Sequence, residues 1–283
     1  STQNRAYEML SGLVGSEMCI RDSFTRRVQW VGTRRGNPMF EEHVVIETGE
    51  GSASTFIVRP ETDEPHPLIL FLMDAPGKRE ELHDMARRVA AAGYYVMLPN
   101  LYYRDVPSFT VHREDPVSTR YMAELMGNLS NAMVAADAKA LIRYASEDPH
   151  ADPGNVGVTG YCMSGPFAIW LAAEFPEIIK AAASIHGVLL ATDADDSPHR
   201  RAGDISGELL ILAAEFDNWV DRPHYDRLLE ALNHGNTNFY AEWIEGTHHG
   251  FVFPQRPMYN KQASERHWEL LHSLFDRNLK SFP

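Results

Sequence analysis

At 283 residues the chain is long enough to bury a sizeable core in one large α/β domain. Its 39 acidic against 26 basic side chains give a net charge of −13, which argues against a nucleic-acid binder and disfavours contact with anionic membrane. Two cysteines, Cys19 and Cys162, cannot form a disulfide framework, and no run of about 18 apolar residues suggests a membrane span, so a reducing, cytoplasmic setting is expected.

Residues 1–38 differ in charge from the rest of the chain. Six arginines against Glu8, Glu17 and Asp22 give this segment a charge of +3, leaving −16 on the remainder. It shows no sustained helical or strand period, and "MLSGLVG" is too broken for the apolar centre of a signal peptide. The string "SEMCIRDS" resembles translated adapter DNA, and Met39 stands just before the first strand-like segment. Residues 1–38 are therefore expected to be a non-native or disordered extension, and residues 39–283 a single α/β domain.

From residue 43 the pattern alternates. "HVVIE" and "STFIVRP" read as strands, and "PLILFLM" is a continuous apolar run of the kind buried on both faces of a parallel sheet. "REELHDMARRVAAAG" places Leu82, Met85 and Val89 on one helical face and closes on Gly93. "YYVMLP" is the next strand. Residues 100–130 read as loop, with Arg104, Pro107, Arg113 and Pro116 in the expected wall or lid of a pocket. "NAMVAADAKALIRYASED" is helical, "NVGVTG" a strand, "GPFAIWLAAEF" a helix, and "AAASIHG" and "ELLILAAE" are strands. "DRPHYDRLLEALNH" is helical, "NFYAEWI" a strand, and a last helix over 261–279 carries Trp268, Leu271, Leu274, Phe275 and Leu279 in one stripe. Eight strands, mostly separated by helices, predict a largely parallel open sheet covered on both faces, with ligands at the carboxyl ends of its strands.

Cys162 sits where the strand "VGVTG" turns into a helix, between small residues Gly160 and Ser164. That is the setting of a nucleophile elbow, whose strained turn tolerates only small residues two places to either side. The following helix N-terminus favours negative charge on sulfur or on a substrate oxygen. Cys19 receives no functional reading. A thiol nucleophile needs a base, and the base an orienting acid, in the chain order nucleophile, acid, histidine. Asp217, in "EFDNWV" beyond a strand, is the candidate acid, with Glu215 and Asp221 as rivals. His249, in "EGTHHGF" after the last strand, is the candidate base, with His248 beside it.

"YCMSG", "DNWV" and "GTHHGF" together resemble the dienelactone hydrolase family, cysteine-dependent members of the α/β-hydrolase fold, over roughly residues 40–280. The resemblance implies Cys162, Asp217 and His249 as the triad, with Ser164 standing where the family usually has glycine. It also implies that Asp74, in "LMDAPG", takes the place of an acid, usually glutamate, that holds the resting thiol. Backbone N–H groups of Met163 and Ala75 would form the oxyanion hole. Arg104, in "PNLYYR", matches an arginine that binds the substrate carboxylate. A second such arginine is missing, because Phe253 occupies its place and Arg256 follows three residues later. Tyr102, Tyr103 and Trp219 are candidate aromatic walls. The implied activity is hydrolysis of a carboxylic ester or lactone through an acyl-enzyme, on a small-molecule substrate and without metal or organic cofactor. A broad carboxylesterase or thioesterase, or a non-catalytic thiol-sensing protein, is the alternative on the same fold.

Overall fold

The computed structural model describes residues 38–280. The extension expected over 1–38 lies, apart from Pro38, outside the described residues, as does Cys19.

Apolar runs of strand length, separated by helices, assemble into one eight-stranded sheet. The chain opens with β1 (Met39–Thr48) and β2 (Gly51–Pro60), an antiparallel hairpin, and β2 pairs antiparallel with β4 (Tyr95–Pro99). From there every pairing is parallel: β4 with β3 (His66–Leu72), then β5 (Ala151–Tyr161), β6 (Ile179–Ile185), β7 (Glu208–Phe216) and β8 (Phe239–His248). The order is β1-β2-β4-β3-β5-β6-β7-β8. All eight strands coincide with the predicted segments. Central strands are apolar on both sides because helices cover both faces: Leu68 to Leu72 of β3 are all buried.

Helix α1 (Glu80–Ala90) buries Leu82, Met85 and Val89 as its period requires, with Glu80 and Glu81 at its positive end and Arg87 and Arg88 at its negative end. It shares its face with α6 (Lys261–Leu279), to which it is tied by a fork from Arg88 to Glu265. Trp268, Leu271, Leu274, Phe275 and Leu279 of α6 are all buried against the sheet. Helices α3 (Asn131–Ala145) and α4 (Gly165–Glu174) pack on each other and on β5, and α5 (Arg222–His234) leads into β8.

The segment read as loop over 100–130 contains a helix, α2 (Pro116–Gly127). It buries only Leu125 fully, with Met122 and Met126 partly buried against the core, so its apolar face is thin. Its start is nevertheless written locally: Asp115 caps it by accepting the Val117 N–H at 2.9 Å, and Pro116 follows in the first turn.

Candidate active site

Strand β5 ends at Tyr161, and Cys162 turns the chain with φ +55, a left-handed conformation uncommon for a residue with a side chain. A short 3-10 turn, Cys162–Ser164, runs straight into α4. The turn is so tight that a Cβ on Gly160 would lie 2.1 Å from the Ser164 carbonyl oxygen. Ser164, fully buried, uses its hydroxyl to donate to the Met73 carbonyl and so ties the elbow to the end of β3. Cys162 is partly exposed at the carboxyl end of the sheet.

Parallel pairing of β7 and β8 brings the next two residues together. Asp217 follows β7 and His249 follows β8, and His249 Nδ1 donates to Asp217 Oδ2 at 2.7 Å. Asp217 is 2% exposed through its side chain and also accepts the Trp219 N–H at 2.8 Å. The other ring nitrogen of His249, Nε2, is buried without a hydrogen-bond partner. Burial opposes a charge on this ring, but the bond to Asp217 and the neighbouring Cys162 outweigh it and push the pKa up to about 9. The rival residues are occupied elsewhere. Exposed His248 stacks on Phe216 with ring centroids 5.1 Å apart, Glu215 accepts the Gly246 N–H, and Asp221 caps α5 by accepting the His224 N–H.

Ala75 and Met163, named for the oxyanion hole, are both buried and are linked through one side chain. The buried Tyr102 hydroxyl donates to the Ala75 carbonyl at 2.8 Å and lies 3.2 Å from Met163 Sδ. Tyr102, read from sequence as a pocket wall, therefore braces the loop after β3 against the elbow.

Asp74, expected to hold the resting thiol, is itself engaged by cations. Its fully buried carboxylate is held by two guanidinium groups, Arg79 Nη1 at 2.5 Å and Arg256 Nη2. Both are charge-assisted donors. Arg256 lies 4.4 Å over the Phe253 ring, and Arg79 also approaches that ring, at 5.2 Å. Phe253 occupies the place of the expected second arginine and thus carries Arg256 back toward Asp74. Burial pulls the Arg256 pKa below the ordinary arginine value, and Cys162 is among the charges it feels.

Arg104 also differs from expectation. It forks onto Asp137 of α3 through Nη1 at 3.0 Å and Nη2 at 2.7 Å, and its Nε donates to Glu50 at 2.5 Å. Tyr103 donates to the same Asp137 at 2.7 Å and shares a hydrogen bond with Thr48. Both side chains fasten the β1–β2 turn to α3, because Asp137, buried within a helix, demands neutralisation. Trp219 is exposed beside Asp217, close to the site, with Phe216 exposed before it.

Two histidines escaped the sequence reading. His224, on α5, accepts the N–H groups of Leu190 and Ala191 on its Nε2 at 2.9 and 3.1 Å, which holds the loop after β6. His186 follows the last residue of β6 and lies buried against His249. The "SIHG" at a strand's carboxyl end was the available signal for His186. Among the described residues no cluster of three or more His, Cys, Asp or Glu is arranged to hold a metal ion, and no helix is long and apolar enough to cross a membrane.

Comparison with known proteins agrees with this fold. The model of the dienelactone hydrolase family matches residues 53–279. A Synechocystis sp. protein provisionally assigned as a carboxymethylenebutenolidase is 27% identical over 228 residues, 80% of this chain and 92% of that protein. The carboxymethylenebutenolidase of Pseudomonas putida is 24% identical over 214 residues, 76% of this chain and 87% of its own. A Klebsiella pneumoniae crystal structure provisionally assigned as a dienelactone hydrolase superposes with a TM-score of 0.77 at 23% identity, covering 85% of this chain and 100% of that one. That likeness gives the α/β-hydrolase fold.

Proposed function

The chain belongs to the dienelactone hydrolase family, and from that premise we propose that it hydrolyses a carboxylic ester or lactone with Cys162 as nucleophile, His249 as base and Asp217 as the acid that orients it. The observation that supports this most is the 2.7 Å bond from His249 Nδ1 to Asp217, which leaves Nε2 without a partner on a ring that feels Cys162.

In this reading the Cys162 sulfur attacks the substrate carbonyl while His249 carries the proton as imidazolium. Charge moves onto the carbonyl oxygen, where the Met163 and Ala75 N–H groups receive it. The tetrahedral intermediate collapses by breaking the C–O bond, and His249 gives its proton to the leaving oxygen. Water, deprotonated by His249, then cleaves the thioester and returns the thiolate–imidazolium pair. No metal or cofactor enters any step. The free thiol suits a reducing, cytoplasmic compartment, and residues 39–283 act as one domain.

Substrate charge is read by Arg256 rather than by Arg104. Both arginines already hold carboxylates, Arg256 on Asp74 and Arg104 on Asp137 and Glu50, but Arg256 is close enough to Cys162 to feel its charge. The same engagement of Arg104 favours a second reading, a broad carboxylesterase or thioesterase that accepts neutral esters at the Trp219 side of the site. A panel of lactone acids, neutral esters and thioesters, assayed with native protein and Cys162→Ala, tests both. Loss of all turnover in Cys162→Ala, with acyl transfer to Cys162 seen by mass spectrometry, is expected; full activity in that variant overturns the mechanism. Preference for a charged lactone or for neutral esters then separates the two readings.

A further inference from the structure

His186 combines three unfavourable features. It has φ +39 although it carries a side chain, it is 1% exposed, and neither Nδ1 nor Nε2 has a hydrogen-bond partner. A buried polar atom left unpaired carries a desolvation cost that an apolar ring in this setting would not. Burial above all, then the charge of His249, holds the His186 pKa well below the ordinary histidine value. The ring is therefore neutral while His249 changes charge, and it is not a second base.

Its surroundings press it against the proposed base. The rings of Phe253 and Phe251 lie 5.5 and 5.7 Å away and that of Tyr161 6.2 Å away. The remaining side is filled by His249, edge to face, with centroids 4.9 Å apart and planes at 65°. The backbone fixes this wedge from below. The His186 N–H donates to the Leu212 carbonyl at 2.7 Å, and a Cβ on the next residue, Gly187, would lie 2.9 Å from the Gly165 Cα at the start of α4. The end of β6 is thus pressed against the elbow, and the Val188 N–H donates to the Cys162 carbonyl at 3.1 Å. The other charged or titratable groups acting on His186 are Arg256 and His267.

We propose that His186 is a positioning residue, an imidazole wedge that sets the His249 ring in line with the Cys162 sulfur. This inference rests on the reading of Cys162 and His249 as nucleophile and base, and it assigns the strain at the end of β6 to that pairing. The wedge acts by geometry: when the ring turns away, the sulfur loses the imidazole that exchanges its proton, and its reactivity falls.

The test is the rate of iodoacetamide alkylation at Cys162 against pH, with the modified residue located by mass spectrometry so that Cys19 does not contribute. Native protein, His186→Phe and His186→Asn are compared, asparagine being the side chain that tolerates positive φ. Both variants are expected to alkylate about tenfold or more slowly at pH 7, with onset at higher pH, since small misplacements of reacting groups cost that much or more. His186→Asn, which tolerates the positive φ, is expected to stay folded in a thermal melt while kcat on a small activated ester falls and KM holds. Native alkylation rates and pH dependence in either folded variant overturn the proposal, because a packing role predicts them. Native Cys162 that alkylates no faster than in the unfolded chain overturns the hydrolase mechanism and this inference together.

Discussion

Arg256 donates to Asp74 from 182 residues further along the chain, and in doing so places a buried guanidinium beside the elbow that carries Cys162. A substrate carboxylate would compete with Asp74 for that group. Arg256→Ala is expected to lower kcat/KM for an acid-bearing lactone by about 10- to 100-fold, the worth of a charge-assisted hydrogen bond. Neutral esters should lose far less. Asp74 keeps Arg79, so the variant should fold. Equal losses on both substrate types would remove Arg256 from charge recognition.

The His249 pKa is raised to about 9, above the ordinary 6.5 of the unfolded chain. Its contribution to stability is therefore complete below about 6.5 and is lost as the pH climbs through 9. Thermal melts of the native chain should show a fall across that interval, and Asp217→Asn, which takes away the partner carboxylate, should flatten it. An unchanged slope in Asp217→Asn would assign the fall to another group.

Gly160 has no room for a methyl group, the Ser164 oxygen being 2.1 Å from its position. Gly160→Ala must push the elbow off the end of β5. A loss of at least about 3 kcal/mol in unfolding free energy is expected, with activity abolished. Urea unfolding monitored by circular dichroism measures the first and ester turnover the second.

Tyr102→Phe deletes the hydroxyl shared between Ala75 and Met163 and nothing else. Its cost to stability should be about 1 kcal/mol, but kcat should fall about tenfold at unchanged KM, since both proposed oxyanion donors lose their brace. Steady-state kinetics on one activated ester decides this; an unchanged kcat would separate the brace from catalysis.

Much of the fold and the elbow is legible in the sequence because it is local. An apolar run of strand length announces β3, and small residues at 160 and 164 announce the elbow, since each is dictated by sterics within a few residues. The chain order of Cys162, Asp217 and His249 is readable for the same reason: each follows a strand. Pairing is not local. Whether Arg104 faces a substrate or Asp137 depends on where α3 lies against the β1–β2 turn, and only the assembled sheet decides it. The same holds for Arg256, which returns to Asp74 through the turn around Phe253, and for His186, whose neighbours come from β5 and from the segment after β8. Helix α2 is the converse case, because its short apolar face is mostly left exposed and its start among loop residues gives little weight to the period.

An imidazole that accepts from the Leu190 and Ala191 amides, as His224 does, must surrender both when it gains a proton. Burial already keeps that proton off, lowering the pKa from 6.5, so the loop is sound in neutral solution and its anchorage fails on acidification below that value. Mild acid should thus unfasten the segment next to the elbow before the sheet itself melts, giving early amide exchange over residues 188–197. Acid tolerance in this protein would then be limited by one latch at the rim rather than by the strength of its core.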